Sequence, residues 1–231
     1  MKTIGMIGGM SWESSIEYYR IINETIQAKL GGVHSAKSVM YSVDFAQVEE
    51  LQHQNRWEQA TRLMIDAARR VQAGGADFVL ICTNTMHKMA DEVQQSIKIP
   101  LLHIADATAE QVQGQRIKRV GLLGTKFTME EEFYKGRLEK KFGLDVLIPP
   151  EKEREAVHRV IYDELVVGVI KETSRDQFRE IIADLVRAGA EGIILGCTEI
   201  GLLVKPHDSP VPLFDTTQIH AQAAVDYALK S

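Results

Sequence analysis

The chain lacks several features that mark whole classes of protein. Its 231 residues include only two cysteines and 6% aromatic residues, and no apolar run reaches the length of a membrane span. The formal net charge is −5 and there is no long basic run, so we expect neither a nucleic-acid partner nor a membrane partner. The N-terminus has no basic segment followed by an apolar one, which predicts a cytoplasmic protein without a signal peptide.

Motifs of several known chemistries are also absent. Residues 5–10 do not have the Gly-x-Gly-x-x-Gly spacing of a dinucleotide site, and no Gly-Lys-Ser/Thr phosphate loop occurs. No Cys-x-x-Cys or paired-histidine spacing indicates a metal. Lys88 and Leu203, not arginines, stand six residues after the cysteines, which disfavours a cysteine phosphatase. We therefore expect no metal site and no dinucleotide site.

What the chain does have is a regular alternation of apolar strands with helices. The predicted strands lie at about residues 3–8, 37–43, 77–81, 100–102, 119–124, 190–196 and 212–214. Helices are predicted after the turn at residues 8–11 and over residues 45–54, 57–73, 86–97, 130–142, 151–166 and 216–229. Strands that alternate with helices of this length predict βαβ crossovers, and therefore an α/β fold with mainly parallel sheets.

The second half of the chain repeats the first. Three segments recur in the same order with nearly constant offset: residues 3–8 at 119–124, residues 76–81 at 190–195, and residues 100–102 at 212–214. This order indicates a duplicated α/β unit. We predict a first domain at residues 1–115 and a second at residues 116–211. A C-terminal helix, at about 212–231, is expected to pack back on the first domain.

Each cysteine lies where an apolar strand ends and a polar cluster begins, which is where open α/β sheets place their chemistry. The offset of 114 residues between the two cysteine strands places Thr83, and not Cys82, opposite Cys197. Neighbouring strand residues point to opposite faces. We therefore expect Cys197 and Thr83 to face a cleft between the two halves, and Cys82 to pack in the core as a small hydrophobic residue.

Short polar side chains gather at the same predicted strand ends, a composition typical of a small-anion pocket: Ser11, Asn84, Thr85, Thr198 and Glu199. Backbone N–H groups at the start of the following helices are expected to point at a thiolate or at a bound carboxylate. Such groups lower the pKa of a cysteine from its reference value of about 8.5.

Simpler roles stay open for some of these residues. Asn84 and Thr85 are equally suited to capping the next helix. By its position His87 is expected on a helix surface, and Glu164 is expected to be a solvated or structural helix residue. Gly8 and its neighbour permit a turn, but they also let a ligand approach the backbone closely.

Four segments resemble the aspartate/glutamate racemase family. Residues 79–87 and 193–200 resemble its two signature segments. Residues 4–11 resemble the N-terminal loop of its aspartate racemase branch, and residues 214–220 resemble that branch's C-terminal element. The likeness spans nearly the whole chain, and it is greatest to the bacterial L-aspartate/glutamate-specific, or broad amino-acid, racemases. It implies two pseudo-symmetric α/β domains with the active site in the cleft between them, and racemisation without pyridoxal phosphate or metal.

In this family one residue from each half faces the substrate Cα. One removes the α-proton and the other returns a proton to the opposite face. The resemblance assigns these roles to Cys197 and Thr83, although the position of Thr83 is normally a cysteine. A hydroxyl is a far poorer base than a thiolate, so Cys197 is expected to be the competent base and Thr83 its weak partner. The resemblance further implies that the second-half residue serves the L-enantiomer. An alternative alignment makes Cys82 catalytic and Thr83 an insertion, but the internal repeat argues against it.

The resemblance also implies an amino-acid substrate, with aspartate or glutamate favoured. Aspartate racemases usually carry a basic residue before the glycine of a Glu-Leu-x-x-Gly segment, whereas residues 164–168 contain no lysine. Neutral donors would then hold a distal carboxylate, and specificity would be broader. Dimers are common in the family, so a homodimer is a further expectation. The substrate-binding residues that follow from this alignment are Met10, Ser11, Gln52, Asn84, Thr85, Thr198 and Glu199.

Two other functions stay open from the sequence. One is a different enzyme of the same cysteine-based superfamily, such as a hydantoin racemase, a maleate isomerase or an arylmalonate decarboxylase. The other is a non-catalytic two-lobed module that binds a carboxylate, with Cys197 merely packed. The Gly-Gly-Met-Ser loop favours the amino-acid substrate.

Overall fold

The computed structural model describes residues 1–230. The chain folds into two compact units. The first unit comprises Met1–Ile104 together with the segment that begins at His220, and the second comprises Ala105–Ile219. The last helix is therefore divided between them, since its first turn belongs to the second unit and the remainder to the first.

The first unit is built on a three-stranded parallel sheet with the order β2-β1-β3. Its strands are β1 (Ile4–Gly8), β2 (Ser38–Ser42) and β3 (Phe78–Ile81), and its helices are α1 (Trp12–Leu30), α2 (Phe45–His53), α3 (Trp57–Ala73) and α4 (Ala90–Ser96). A 3-10 turn at Thr85–Met89 precedes α4. The expected strand after Pro100 is reduced to one parallel bridge between Val79 and Leu101.

The second unit is built on a four-stranded parallel sheet with the order β5-β4-β6-β7. Its strands are β4 (Arg119–Gly124), β5 (Asp145–Leu147), β6 (Gly192–Gly196) and β7 (Leu213–Asp215). Its helices are α5 (Ile104–Gly114), α6 (Lys126–Glu130), α7 (Arg137–Phe142), α8 (Glu151–Asp163), α9 (Glu172–Arg187), α10 (Ile200–Leu203) and the start of α11 (Thr216–Leu229). These two sheets confirm the predicted α/β class.

Two of the predicted helices are interrupted. The helix expected at 86–97 begins as the 3-10 turn and becomes α-helical only at Ala90. The helix expected at 130–142 is broken at Glu131, whose ψ of 153° is extended, and a π-turn at Glu132–Gly136 separates α6 from α7. Sequence periodicity does not register such single-residue breaks, because the apolar spacing continues across them.

Alternation along β1 and β3 assigns their side chains to two hydrophobic clusters. On one face of the sheet Ile7, Val79 and Ile81 pack with the apolar side of α3. The residues on the other face pack with α1 and α11, and they are Ile4, Met6, Phe78, Leu80 and Cys82. Both faces are therefore covered, which is the usual state of a parallel sheet.

Strand register supports the internal repeat at the level of single residues. Ile4 pairs with Phe78 and Ile7 with Ile81 in the first unit. In the second unit the pairs run from Val120 with Gly192 to Leu123 with Leu195. Matching these pairs reproduces the offsets of 116 and 114 residues, so the position after Ile81 matches Gly196. By continuation, the next position, Thr83, matches Cys197.

Within the part of the chain that the structure describes, no helix has the length and apolar character needed to cross a membrane.

Candidate functional site

The carboxyl end of β6 carries one of the two polar clusters. The strand ends at Gly196 and is followed by Cys197, Thr198 and Glu199, all of them buried, before α10 begins. Cys197 keeps 8% of its surface exposed, whereas Glu199 keeps 2%. Burying a carboxylate is costly unless hydrogen bonds compensate it, so the contacts of Glu199 show how this loop is stabilised.

Both neighbouring side chains donate to the same carboxylate oxygen of Glu199. The Cys197 Sγ–H donates to Oε2 at 3.0 Å, and the Thr198 hydroxyl donates to Oε2 at 2.7 Å. The thiol and the carboxylate therefore form a direct pair, with the proton on sulfur and the acceptor beside it. Such an arrangement can pass a proton from sulfur to oxygen without solvent.

The pKa of the Cys197 thiol is raised well above its ordinary value. Burial is the main cause, and the charge of Glu199 and the hydrogen bond to it add to the effect. The backbone N–H groups of Glu199 and Ile200 act in the opposite direction. The expected N–H groups are thus present, but the expectation of a lowered pKa is wrong, because burial and the carboxylate outweigh them.

The segment at the end of β7 stabilises this loop. The Thr216 hydroxyl donates to the carbonyl of Leu195 at 2.8 Å, and the Thr217 hydroxyl donates to the carbonyl of Thr198 at 3.4 Å. Asp215 caps α11 by accepting from the N–H groups of residues 217 and 218. A Cβ on Gly201 would collide with the Asp215 carboxylate, so a larger residue there would displace the side chain that caps α11.

The carboxyl end of β3 has a different composition. Cys82 is fully buried in the cluster that contains α1 and α11, as the register predicts. Burial raises the pKa of its thiol well above the ordinary value, and its neighbours are apolar side chains, the environment of a structural cysteine. Thr83 is 9% exposed, and the following Asn84 and Thr85 are buried.

His87 is buried, with 2% of its surface exposed, so the expectation that it lies on a helix surface is wrong. Its Nδ1 lies 2.7 Å from the carbonyl oxygen of Thr83. Its Nε2 lies 3.2 Å from the backbone nitrogen of Ile104, which donates to it. The spacing of four residues between Thr83 and His87, one turn apart, is the sequence signal that could have identified this contact.

The other predicted residues of the first unit have structural contacts of their own. Ser11 caps α1, where its hydroxyl accepts from the Ser14 N–H at 3.4 Å. Met10 is part of the hydrophobic cluster on the α3 face. The Gln52 side-chain nitrogen lies 3.1 Å from the sulfur of Met86, on the turn that follows Thr85.

The loop after β1 depends on one glycine. Gly9 has a φ of +91°, and a Cβ there would collide with the carbonyl of Val43. Since β1 and β3 are parallel neighbours, the loops that contain Met10 and Thr83 leave the same edge of the sheet. The structure thus brings the predicted residues of the first unit to one edge, and those of the second unit into direct contact at the end of β6.

The described residues contain no group of three or more histidine, cysteine, aspartate or glutamate side chains placed to share a metal ion.

Comparison with known proteins gives one family. The family model for Asp/Glu/hydantoin racemases matches residues 7–224. The crystal structure of a candidate Asp/Glu racemase from Yersinia pestis superposes with a TM-score of 0.92 at 55% identity, over 100% of both chains. An aspartate racemase homologue from Pyrococcus horikoshii OT3 superposes with a TM-score of 0.85 at 35% identity, again over 100% of both chains.

A curated relative is more distant in sequence. The broad specificity amino-acid racemase RacX of Bacillus subtilis is 26% identical over 172 residues, which cover 73% of this chain and 72% of RacX. The family match extends over nearly the whole chain, including both strand ends and the start of the last helix. The chain belongs to the Asp/Glu/hydantoin racemase family.

Proposed function

We propose that the protein racemises amino acids without a cofactor, favouring aspartate and glutamate, with Cys197 as the base for the L-enantiomer and Thr83 as its counterpart. One observation carries the proposal, namely the thiol–carboxylate pair of Cys197 and Glu199 at the end of β6. Membership of the family and the name of RacX support the reaction class.

The first step is the removal of the α-proton. The buried thiol of Cys197 passes its proton to Glu199, because the carboxylate is already its hydrogen-bond acceptor. The resulting thiolate then takes the α-proton of the L-amino acid, which restores the S–H bond and leaves the electron pair on Cα. Donors around the substrate carboxylate stabilise this carbanion, and we assign that task to Asn84, Thr85 and Thr198.

The second step is the return of a proton to the opposite face of Cα. The Thr83 hydroxyl delivers this proton, and a water molecule reprotonates Thr83. The proton held by Glu199 then neutralises the hydroxide that forms, so that Glu199 is again a carboxylate and Cys197 again a thiol. Two residues are needed, because one base would have to reach both faces of the same carbon. Removal of a proton from the D-enantiomer by Thr83 is slow, since an aliphatic hydroxyl is a much weaker base than a thiolate.

The donors assigned to the distal carboxylate of the substrate are neutral, and this determines the expected range of substrates. Residues 164–168 contain no lysine that would fix a distal carboxylate, so we assign that contact to Gln52 and to backbone groups of Met10 and Ser11. Neutral donors bind a carboxylate less tightly than a charged one does. We therefore expect activity on several amino acids, with the acidic ones preferred.

Solvent exchange at the α-carbon tests the proposal for each enantiomer separately. The full-length protein is incubated in deuterated water with single L- and D-amino acids, and deuterium incorporation and inversion are followed together by NMR and chiral chromatography. L-aspartate or L-glutamate should exchange faster than its D-enantiomer at saturation. The values of kcat/KM for inversion must be equal in both directions, because the equilibrium constant of a racemisation is one.

Two results would contradict the proposal. Equal exchange rates for L and D substrate would remove the unequal roles of Cys197 and Thr83. Binding of amino acids without any exchange would instead support a carboxylate-binding module.

A further inference from the structure

Beside the proposed proton transfer lies a buried histidine that has no part in it. His87 follows Thr83 by one turn and contacts its backbone rather than its side chain. The imidazole connects the end of β3 with Ile104, the residue at which the first unit ends and α5 begins. These two contacts determine both the protonation and the orientation of the ring.

The tautomer of His87 follows from its partners. A backbone N–H can only donate, so the Nε2 atom that faces the Ile104 nitrogen is the unprotonated acceptor. The proton of a neutral ring is then on Nδ1, which faces the carbonyl oxygen of Thr83 at 2.7 Å. A carbonyl can only accept, so both contacts require the same neutral Nδ1–H tautomer.

Other aromatic rings hold the imidazole in place. The ring of His103 packs against His87 with centroids 4.5 Å apart, and the ring of His220 lies at 5.9 Å. His220 is itself fixed, since its Nε2 donates to the carbonyl of Leu102 and its Nδ1 accepts from the Tyr18 hydroxyl. His87 therefore has little freedom to rotate away from Thr83.

The second unit fixes its strand end in another way. The residue 114 positions after His87 is Gly201, which has no side chain and makes room for the Asp215 carboxylate. There the reactive residue, Cys197, is held through its own side chain by Glu199. The Cys197 carbonyl accepts from the backbone N–H of Ile200 at 3.1 Å, whereas the Thr83 carbonyl faces a histidine side chain. A side-chain anchor on this carbonyl is thus a feature of the first unit.

We propose that His87 is the positioning residue of Thr83, and that its Nδ1–H anchors the Thr83 carbonyl so that the hydroxyl is directed at the substrate Cα. This inference rests on the proposed function, because it assigns Thr83 the second proton transfer. Proton delivery needs hydrogen-bond distance to the carbon, and a shift of about 1 Å can cost on the order of a hundredfold in rate.

A matched pair of substitutions separates the two contacts of the ring. In His87→Asn the side-chain N–H₂ group can take the place of Nδ1 and donate to the Thr83 carbonyl. In His87→Gln the side-chain oxygen reaches the place of Nε2 and accepts from Ile104, but the donor to Thr83 is lost. His34→Gln, at an exposed histidine of the same unit, is the control for loss of an imidazole.

Inversion and exchange are measured side by side with L-glutamate in deuterated water. For His87→Gln we expect inversion to fall by on the order of thirtyfold, while exchange with retention at the L-enantiomer falls by less than about threefold. His87→Asn should invert at a rate within about threefold of wild type. In a Thr83→Ala background, His87→Gln should have no further effect on inversion, because the residue that it positions is already gone.

Equal inversion by the Asn and Gln variants would overturn the inference. So would a parallel loss of exchange and inversion in His87→Gln, which would indicate general damage to the fold.

The imidazole tautomer is measured independently in long-range ¹H–¹⁵N spectra of the full-length protein. The His87 signals are assigned as those that disappear in His87→Asn. A proton on Nε2 overturns the inference even where the Gln variant does not fold. A wild-type protein without α-proton exchange contradicts the proposed function, whereas the tautomer still decides whether His87 anchors Thr83.

Discussion

In the first unit the chain leaves β3 through Cys82 and Thr83, whereas in the second unit it leaves the equivalent strand, β6, through Gly196 and Cys197. The cysteine is thus displaced by one position between two strand ends of the same topology. A displacement of one position turns a side chain to the other face of the sheet. One cysteine consequently lies in a hydrophobic core, and the other lies beside a carboxylate.

Packing explains why the second unit has no cysteine at the earlier position. A Cβ on Gly196 would lie 2.9 Å from the carbonyl oxygen of Leu123 and 2.8 Å from Cδ1 of Leu122. Cys82, at the equivalent place, has room because α1 and α11 leave space for its sulfur in their cluster. The core cysteine is therefore possible only in the first unit.

A second difference concerns the acid–base partner. The position equivalent to Glu199 is Thr85, which carries no charge. Cys197 can pass its proton to a carboxylate, whereas the equivalent position of the first unit offers none. Instead, the carbonyl oxygen of Thr83 contacts Nδ1 of His87. The duplicated units thus provide one thiol that donates to a carboxylate and one threonine whose carbonyl contacts a histidine.

The largest predicted effect compares the two cysteines directly. Cys197→Ala should lower α-deuterium exchange of the L-enantiomer by about a thousandfold, because it removes the thiol that takes the proton. Cys82→Ala should keep the wild-type exchange rate and lower the free energy of unfolding by about 1 kcal/mol, since it removes one buried sulfur. Exchange is followed by NMR and unfolding by urea titration.

Full exchange in Cys197→Ala would eliminate the proposed base. Loss of exchange in Cys82→Ala, at wild-type stability, would favour the alternative alignment in which Cys82 is catalytic.

Much of this comparison could be predicted from the sequence. Three repeated segments with offsets near 114 residues were enough to pair Thr83 with Cys197 and to place Cys82 in the core. Repeats carry this information because equivalent strands must keep the same inward and outward alternation to bury their faces. The α/β class followed from the same alternation of strands and helices.

Side-chain contacts could not be predicted in the same way. The raised pKa of Cys197 depends first on its burial and then on the Glu199 carboxylate, whose Oε2 accepts from the sulfur. The Nε2 of His87 accepts from the backbone of Ile104, seventeen residues away. Neither of these two contacts can be predicted from hydrophobic spacing, which indicates only which face of a helix or strand is buried.

The second predicted effect tests whether Glu199 acts as a proton acceptor or only as a charge. Glu199→Gln removes the negative charge that raises the pKa of Cys197, so alkylation of Cys197 by iodoacetamide at fixed pH should become faster. Exchange of the L-enantiomer should nevertheless fall by about a hundredfold, because the thiol loses its local proton acceptor. Mass spectrometry locates the alkylated cysteine, and Glu180→Gln, at an exposed residue of α9, is the control.

Opposite changes in alkylation and exchange are the signature of a proton acceptor. If exchange rises together with alkylation, Glu199 acts on Cys197 only through its charge, and the proposed transfer from sulfur to oxygen is wrong.

The smallest predicted effect concerns stability and belongs to the first unit alone. Burial lowers the pKa of His220 from 6.5 to about 4. A histidine with a lowered folded pKa is protonated first in the unfolded chain, so its contribution to stability is complete above 6.5 and is lost as pH falls towards 4. Between about pH 7.5 and about pH 5 the free energy of unfolding falls by about 2 kcal/mol through this group.

His220→Gln keeps a donor for the Leu102 carbonyl but does not titrate. The free energy of unfolding of this variant should therefore depend less steeply on pH over this range than that of the wild type. Urea titrations at each pH measure both slopes. Equal slopes would show that the ring of His220 is not held neutral in the folded protein.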